Sequence, residues 1–157
     1  MKTFGALGNW NKIDEKFDLT IIKQVNDASC VSAVGEMLAT YYGLDLSQTE
    51  ILETIGIWSN AQSLARFLNS KEPDNSVEWI GGNFPQEPKY VRKISEKNVW
   101  AVMLREGRWD GHAVFIDGID KDGKIIIKDP FDQTTYKMNV ADLYNVLSEF
   151  VLRRKKQ

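Results

Sequence analysis

The chain is short of the side chains that most often carry chemistry: its 157 residues include one cysteine, Cys30, and one histidine, His112. A lone cysteine cannot close an intramolecular disulfide, so the fold must stand on its core. One Cys and one His are also too few for a zinc site, and no Gly-rich phosphate-binding loop occurs, so no metal or cofactor is expected. No apolar run approaches the length that spans a bilayer, and the N-terminal MKTFGALGNWNKIDEKF lacks the apolar segment of a signal peptide. Neither sign of charge is in excess. Lys+Arg 20 against Asp+Glu 22 gives a net charge of -2, so no global field recruits nucleic acid or an anionic membrane. The expectation is a soluble, cytosol-compatible protein with neither nucleic-acid nor membrane partner.

What is present is a hydrophobic fraction of 43 %, enough for one well-buried core and a single globular domain. Residues 1–19 carry Gly5, Gly8, Asn9 and Asn11 among mixed charges and read as an irregular lead-in. The domain itself is expected over 20–152. Arg153, Arg154, Lys155 and Lys156 begin a basic tail, 153–157, that reads as solvated and frayed.

Leu19 to Ile22 is a short apolar run, read as an extended segment that delivers Gln24. Asn26, Asp27, Ala28 and Ser29 are turn and cap formers; beyond them Cys30, Ala33, Val34, Met37, Leu38 and Tyr41 recur at helical spacing until Gly43. Cys30 therefore opens a largely buried helix behind an Asp/Ser cap. Ser47 to Glu50 is a capping box for a second helix, stopped at Gly56, and Ser59 with Gln62 repeats the device for a third. Residues 71–88 form a loop-rich bridge with a possible strand at Val77 to Ile80, in which Gly81-Gly82 reads as a plain turn rather than a self-processing site. A short helix is placed at Tyr90 to Glu96.

The period then changes. Val99 to Leu104, His112 to Ile119, Lys124 to Lys128 and Thr134 to Met138 are strand-like runs separated by Gly and Asp turns. A capped helix over 139–147 and a last strand at Phe150 to Leu152 follow. Helices first and an antiparallel sheet after predict an α+β fold, with a cleft where the halves meet.

One thiol and one imidazole suit a nucleophile and its base. At a helix start, the N–H groups and the dipole favour the attacking thiolate, although a small apolar residue packed at a helix start would look the same. If 120–123 is a four-residue hairpin loop, Val114 faces Asp129, and His112 lies diagonal to Asp129 on one face. The carboxylate can then orient the imidazole. Asp117 points to the opposite face, Asp120 belongs to the loop and Asp110 to a turn, so Asp129 is preferred over these rivals. For the oxyanion, the candidates are the N–H of Cys30 and the side-chain amide of Gln24, five intervening residues upstream.

Taken in order, Gln24 and Cys30 at this offset, the helix into Tyr41-Tyr42-Gly43, the helices from Ser47 to Leu68, Gly111-His112 on an apolar strand and Asp129-Pro130 resemble the papain-like cysteine peptidases that process double-glycine bacteriocin leaders. The resemblance covers roughly residues 20–152. It implies a papain-like fold, with Cys30 as nucleophile, His112 as general base and then acid, Asp129 as orienting acid and Gln24 in the oxyanion hole. It implies a protein or peptide substrate cut after small residues such as Gly-Gly, and no cofactor. The family usually has Gly after the cysteine, where this chain has Val31, which is expected to reshape the cleft.

Those peptidase domains usually begin an ABC exporter; with no membrane or nucleotide-binding segment within these 157 residues, leader processing coupled to export is not the expected role. A free-standing domain also resembles the toxic domains of secreted bacterial effectors, delivered into a target cell's cytosol and held off by an immunity protein. That competitive role is the expected one. The alternatives are leader processing for export, a papain-like deamidase or acyltransferase that shares the thioester step, and an inactive peptide-binding homologue.

Overall fold

The computed structural model describes residues 10–157 apart from 27, 85, 86, 107 and 108, and only the backbone at 106 and 109–111. In chain order the elements are β1 (Ile13–Phe17), α1 (Cys30–Tyr41), α2 (Gln48–Ile55), α3 (Ala61–Lys71), β2 (Val77–Asn83) and α4 (Pro88–Lys97). They continue with β3 (Trp100–Glu106), β4 (Trp109–Ile119), β5 (Ile125–Asp129), β6 (Thr134–Met138), α5 (Val140–Val146) and β7 (Leu147–Lys155).

Local chemistry sets most of these limits. Ser47 accepts the N–H of Glu50 at 3.1 Å to open α2, and Gly56, at φ 79°, closes it. The third helix begins one residue later than expected: Asn60, not Ser59, is its cap, with Oδ1 accepting the N–H of Ser63 at 2.8 Å. Asn caps as well as Ser, and both precede the same apolar face of Leu64 and Leu68.

Two terminal segments expected to be irregular are strands. Residues 13–17 pair with β6, Lys16 opposite Thr135 and Phe17 opposite Thr134. A partner more than a hundred residues away, rather than local alternation, makes this segment extended. The chain then turns instead of extending through Leu19 to Ile22: the N–H of Ile21 bonds the Asp18 carbonyl at 3.1 Å. At the other end β7 reaches Lys155, paired with β2, and the supposed tail is anchored by its charges. Arg153 Nε meets Glu72 Oε1 at 2.8 Å, and Arg154 Nε meets Glu78 Oε1 at 3.2 Å. Gly81 lies inside β2 rather than in a turn: a Cβ there would sit 2.5 Å from the Ala61 carbonyl oxygen, so glycine lets α3 start against the strand.

The seven strands among the described residues form one antiparallel sheet in the order β1-β6-β5-β4-β3-β7-β2. It draws β1 and β2 from the half of the chain expected to be helical, yet the α+β class stands. Alternation splits the core. Ala101, Met103, Ala113 and Phe115 face α1, α2 and α3, whereas Trp100, Val102, Val114 and Ile116 face α4 and α5. The site forms where the start of α1 meets β4 and the end of β5. Among the described residues no helix is long and apolar enough to cross a membrane.

Candidate active site

Cys30 is the first residue of α1, where N–H groups lie beyond the helix's own hydrogen-bond ladder. Ser29 stands at the cap position but does not cap with its side chain. Its hydroxyl is taken up by the preceding loop: it accepts the N–H of Asn26 at 3.1 Å and shares its proton between the Asn26 carbonyl (3.0 Å) and Gln48 Oε1 (3.3 Å). The backbone carbonyl of Ser29 still receives the N–H of Ala33. The other expected capping residue, Asp27, lies outside the described residues.

The two strands bring the remaining groups together by register. Phe115 faces Lys128 and Ile116 faces Ile127, the pairing that hairpin arithmetic anticipates; the ladder slips only towards the turn, where Ile119 faces Ile125. Next to His112 the β3 pairing also slips, from Leu104–His112 to Arg105–Asp110, leaving Gly111 as a bulge. A bulge bends the strand and re-aims its side chain. His112 Nε2 lies 2.8 Å from Asp129 Oδ1, both side chains essentially buried at 1 % and 0 % exposure. The neighbouring N–H of Ala113 donates to Cys30 Sγ at 3.4 Å, which sets the sulfur beside the histidine.

Asp129 uses both oxygens. Oδ1 also accepts the N–H of Phe131 at 3.0 Å, and Oδ2 accepts the Tyr136 hydroxyl at 2.8 Å. Tyr136 in turn accepts Trp10 Nε1–H at 3.3 Å, and the Trp10 ring stacks near-parallel over His112 with centroids 6.1 Å apart. Burial opposes charge on His112, but the Asp129 carboxylate outweighs it by charge and hydrogen bond, and Cys30 adds to the effect, raising the imidazole to about 10. Burial likewise opposes the Asp129 charge. The imidazolium and the Phe131 and Tyr136 donors nonetheless hold it below the ordinary carboxylate range. Burial, with Asp129 alongside, pushes the Tyr136 phenol well above its ordinary value, so it stays a donor.

Gln24 is buried, its N–H bonded to the Pro130 carbonyl at 2.9 Å, directly after Asp129. Its Nε2 donates one hydrogen to the Asn26 carbonyl at 2.8 Å, and its Oε1 has no hydrogen-bond partner among the described residues. The rival carboxylates are engaged elsewhere. Asp117 pairs with Lys128 at 3.5 Å; Asp120 pairs with Lys137 at 3.0 Å and accepts the N–H groups of Asp122 and Lys124. The side chain of Asp110 lies outside the described residues. Val31 fills the apolar cluster between α1 and the sheet, 2 % exposed.

Three residues around the site escaped sequence reasoning. Tyr136 was within reach of the same register argument, since it faces Ile127 in the next hairpin and so shares a face with Asp129. Trp10 sits in a segment without periodicity, and Gln48 looked like an ordinary first-turn residue; neither carried a signal.

Residues 16–152 match the family described as Peptidase_C39 like family. A curated relative, Cysteine protease effector 1 of Escherichia coli O1:K1:H7, is 31 % identical over 147 residues, 90 % of this chain; the chain spans 28 % of that protein's length. Two solved structures share the fold. A double glycine motif protease from an AMS/PCAT transporter, solved in complex with the leader peptide, superposes with a TM-score of 0.67 at 15 % identity, covering 97 % of both chains. The peptidase domain of Streptococcus ComA, a bi-functional ABC transporter involved in quorum sensing, gives 0.64 at 16 % identity, covering 86 % of this chain and 97 % of its own.

Proposed function

We propose that this chain, which belongs to the Peptidase_C39 like family, is a cysteine peptidase whose reaction runs through Cys30, His112 and Asp129. The observation that carries this reading is the buried 2.8 Å contact of His112 with Asp129 beside the Cys30 sulfur. Asp129 occupies Nε2, so Nδ1 is the nitrogen that trades a proton with the thiol. The thiolate attacks the scissile carbonyl carbon, and the oxyanion takes hydrogen bonds from the Cys30 N–H and the second hydrogen of Gln24 Nε2. The imidazolium protonates the leaving amine as the C–N bond breaks. Water, giving its proton to the imidazole, then attacks the thioester and releases the acid, restoring the thiolate–imidazolium pair.

The substrate in this reading is a protein or peptide cut after small residues such as Gly-Gly. The relative's description as an effector favours a role in bacterial competition over leader processing, with an immunity protein as the natural antagonist. The chemical test is alkylation. Iodoacetamide should modify Cys30 far faster than a simple thiol, and His112→Ala should bring the rate down to the simple thiol's; an unreactive wild-type thiol would sink the reading. Intact masses of incubated proteins then separate cleavage from deamidation, which adds about one mass unit. For the competitive role, cytosolic expression of the wild type should arrest bacterial hosts that tolerate Cys30→Ala. Equal tolerance in several hosts overturns it.

A further inference from the structure

We infer that Gln48 is a positioning residue that sets the oxyanion hole, an inference resting on the reading above. Gln48 is the first residue of α2 and only 5 % exposed, although that position on a surface helix normally faces water. Its side chain is spent on one loop. Oε1 accepts the N–H of Val25 at 2.8 Å and lies 3.3 Å from the Ser29 hydroxyl, while Nε2 donates to the Lys23 carbonyl at 2.9 Å. Lys23 and Val25 flank Gln24. Ser29 directly precedes Cys30. One amide thus holds both ends of the segment that separates the donor side chain from the nucleophile.

That segment is held from outside by the Gln24 N–H on the Pro130 carbonyl and the Trp58 N–H on the Ala28 carbonyl as well as by the Gln48 amide, which is the tie that reaches from Lys23 to Ser29. The described residues between Ile22 and Ser29 belong to no helix or strand, so among them no backbone ladder spaces Gln24 from Cys30. The tie is itself anchored, since the N–H of Gln48 bonds Glu36 Oε1 on α1 at 2.6 Å. The loop is therefore referred to the same helix that carries Cys30. Oxyanion stabilisation depends on donors placed to within a few tenths of an ångström, whereas displacement of iodide by a thiolate develops no oxyanion. Loosening the loop should then damage acyl transfer and spare alkylation.

The test compares the wild type with Gln48→Leu and Gln48→Glu in two assays: hydrolysis of the p-nitrophenyl ester of N-acetyl-Gly-Gly, and alkylation of Cys30 by iodoacetamide. Gln48→Leu should lower kcat for the ester about 10- to 100-fold, with KM and the alkylation rate each within about twofold of wild type. Gln48→Glu keeps acceptors for Val25 and Ser29 but loses the donor to Lys23, so its kcat should fall between the two. If Gln48→Leu does not fold, the Glu variant carries the same contrast. Wild-type kcat in the variants overturns the inference, as does a parallel loss of alkylation, which would mark general collapse of the site. A wild-type Cys30 that alkylates no faster than a simple thiol overturns the catalytic reading, and the inference with it.

Discussion

Asp129 is completely buried, and its two oxygens receive three donors: His112, Phe131 and Tyr136. A carboxylate in that position is tolerable only while its charge is paired and its lone pairs are filled. The Tyr136 hydroxyl, itself buried, therefore helps to hold the Asp129 carboxylate in place. Tyr136→Phe keeps the ring against its neighbours and deletes the one donor to Oδ2 among the described residues. It should cost about 1–3 kcal/mol, read as a lower urea midpoint at unchanged slope. A midpoint equal to wild type would show that Oδ2 finds another donor. At the same residue scale, the Val31 side chain packs into the core under α1.

At the scale of elements, hydrogen bonds and charges made across long sequence distances override several local signals. The start of α3 illustrates the competition. Ser59 and Asn60 are both good caps, and only the observed bond from Ser63 N–H to Asn60 Oδ1 decides between them. The buried Ser59 hydroxyl has no partner among the described residues. Asn60→Ala should thus lower stability by about 1 kcal/mol, while Ser59→Ala should leave the melting temperature close to wild type. The reverse order would return the helix start to the earlier residue. The strands were legible where they alternate, as in Thr134 to Met138, whose predicted limits are those observed. They were illegible where pairing makes them. β1 exists because β6 offers it a ladder, and the C-terminal extension of β7 exists because β2, Glu72 and Glu78 receive it.

For the whole molecule, the buried His112–Asp129 pair couples stability to pH. His112 rises from 6.5 to about 10, so its contribution is fully present below 6.5 and is lost as pH climbs towards 10. Asp129 is lowered from 3.8, so its contribution is present above 3.8 and is lost as pH falls below that value. The two shifts describe one interaction seen from its two partners. The melting-temperature advantage of the wild type over Asp129→Asn should therefore be greatest between pH 3.8 and 6.5 and shrink on either side. A difference that stays level from acid to pH 10 would mean that the pair does not titrate with unfolding.

By itself the sequence determined which residues could do the chemistry, because scarcity leaves one thiol and one imidazole, and it determined their rough positions, because helical and strand periods are local properties of the chain. It also reached Asp129, since strand alternation and a four-residue loop are enough to place two side chains on one face. Only the tertiary structure decided what surrounds them. Trp10 over His112, Tyr136 beneath Asp129 and Gln48 behind the Gln24 loop are brought in by contacts spanning up to 126 residues. Such contacts leave no periodic trace, because a single buried hydrogen bond asks for one polar atom in the right place and imposes no pattern on the residues around it.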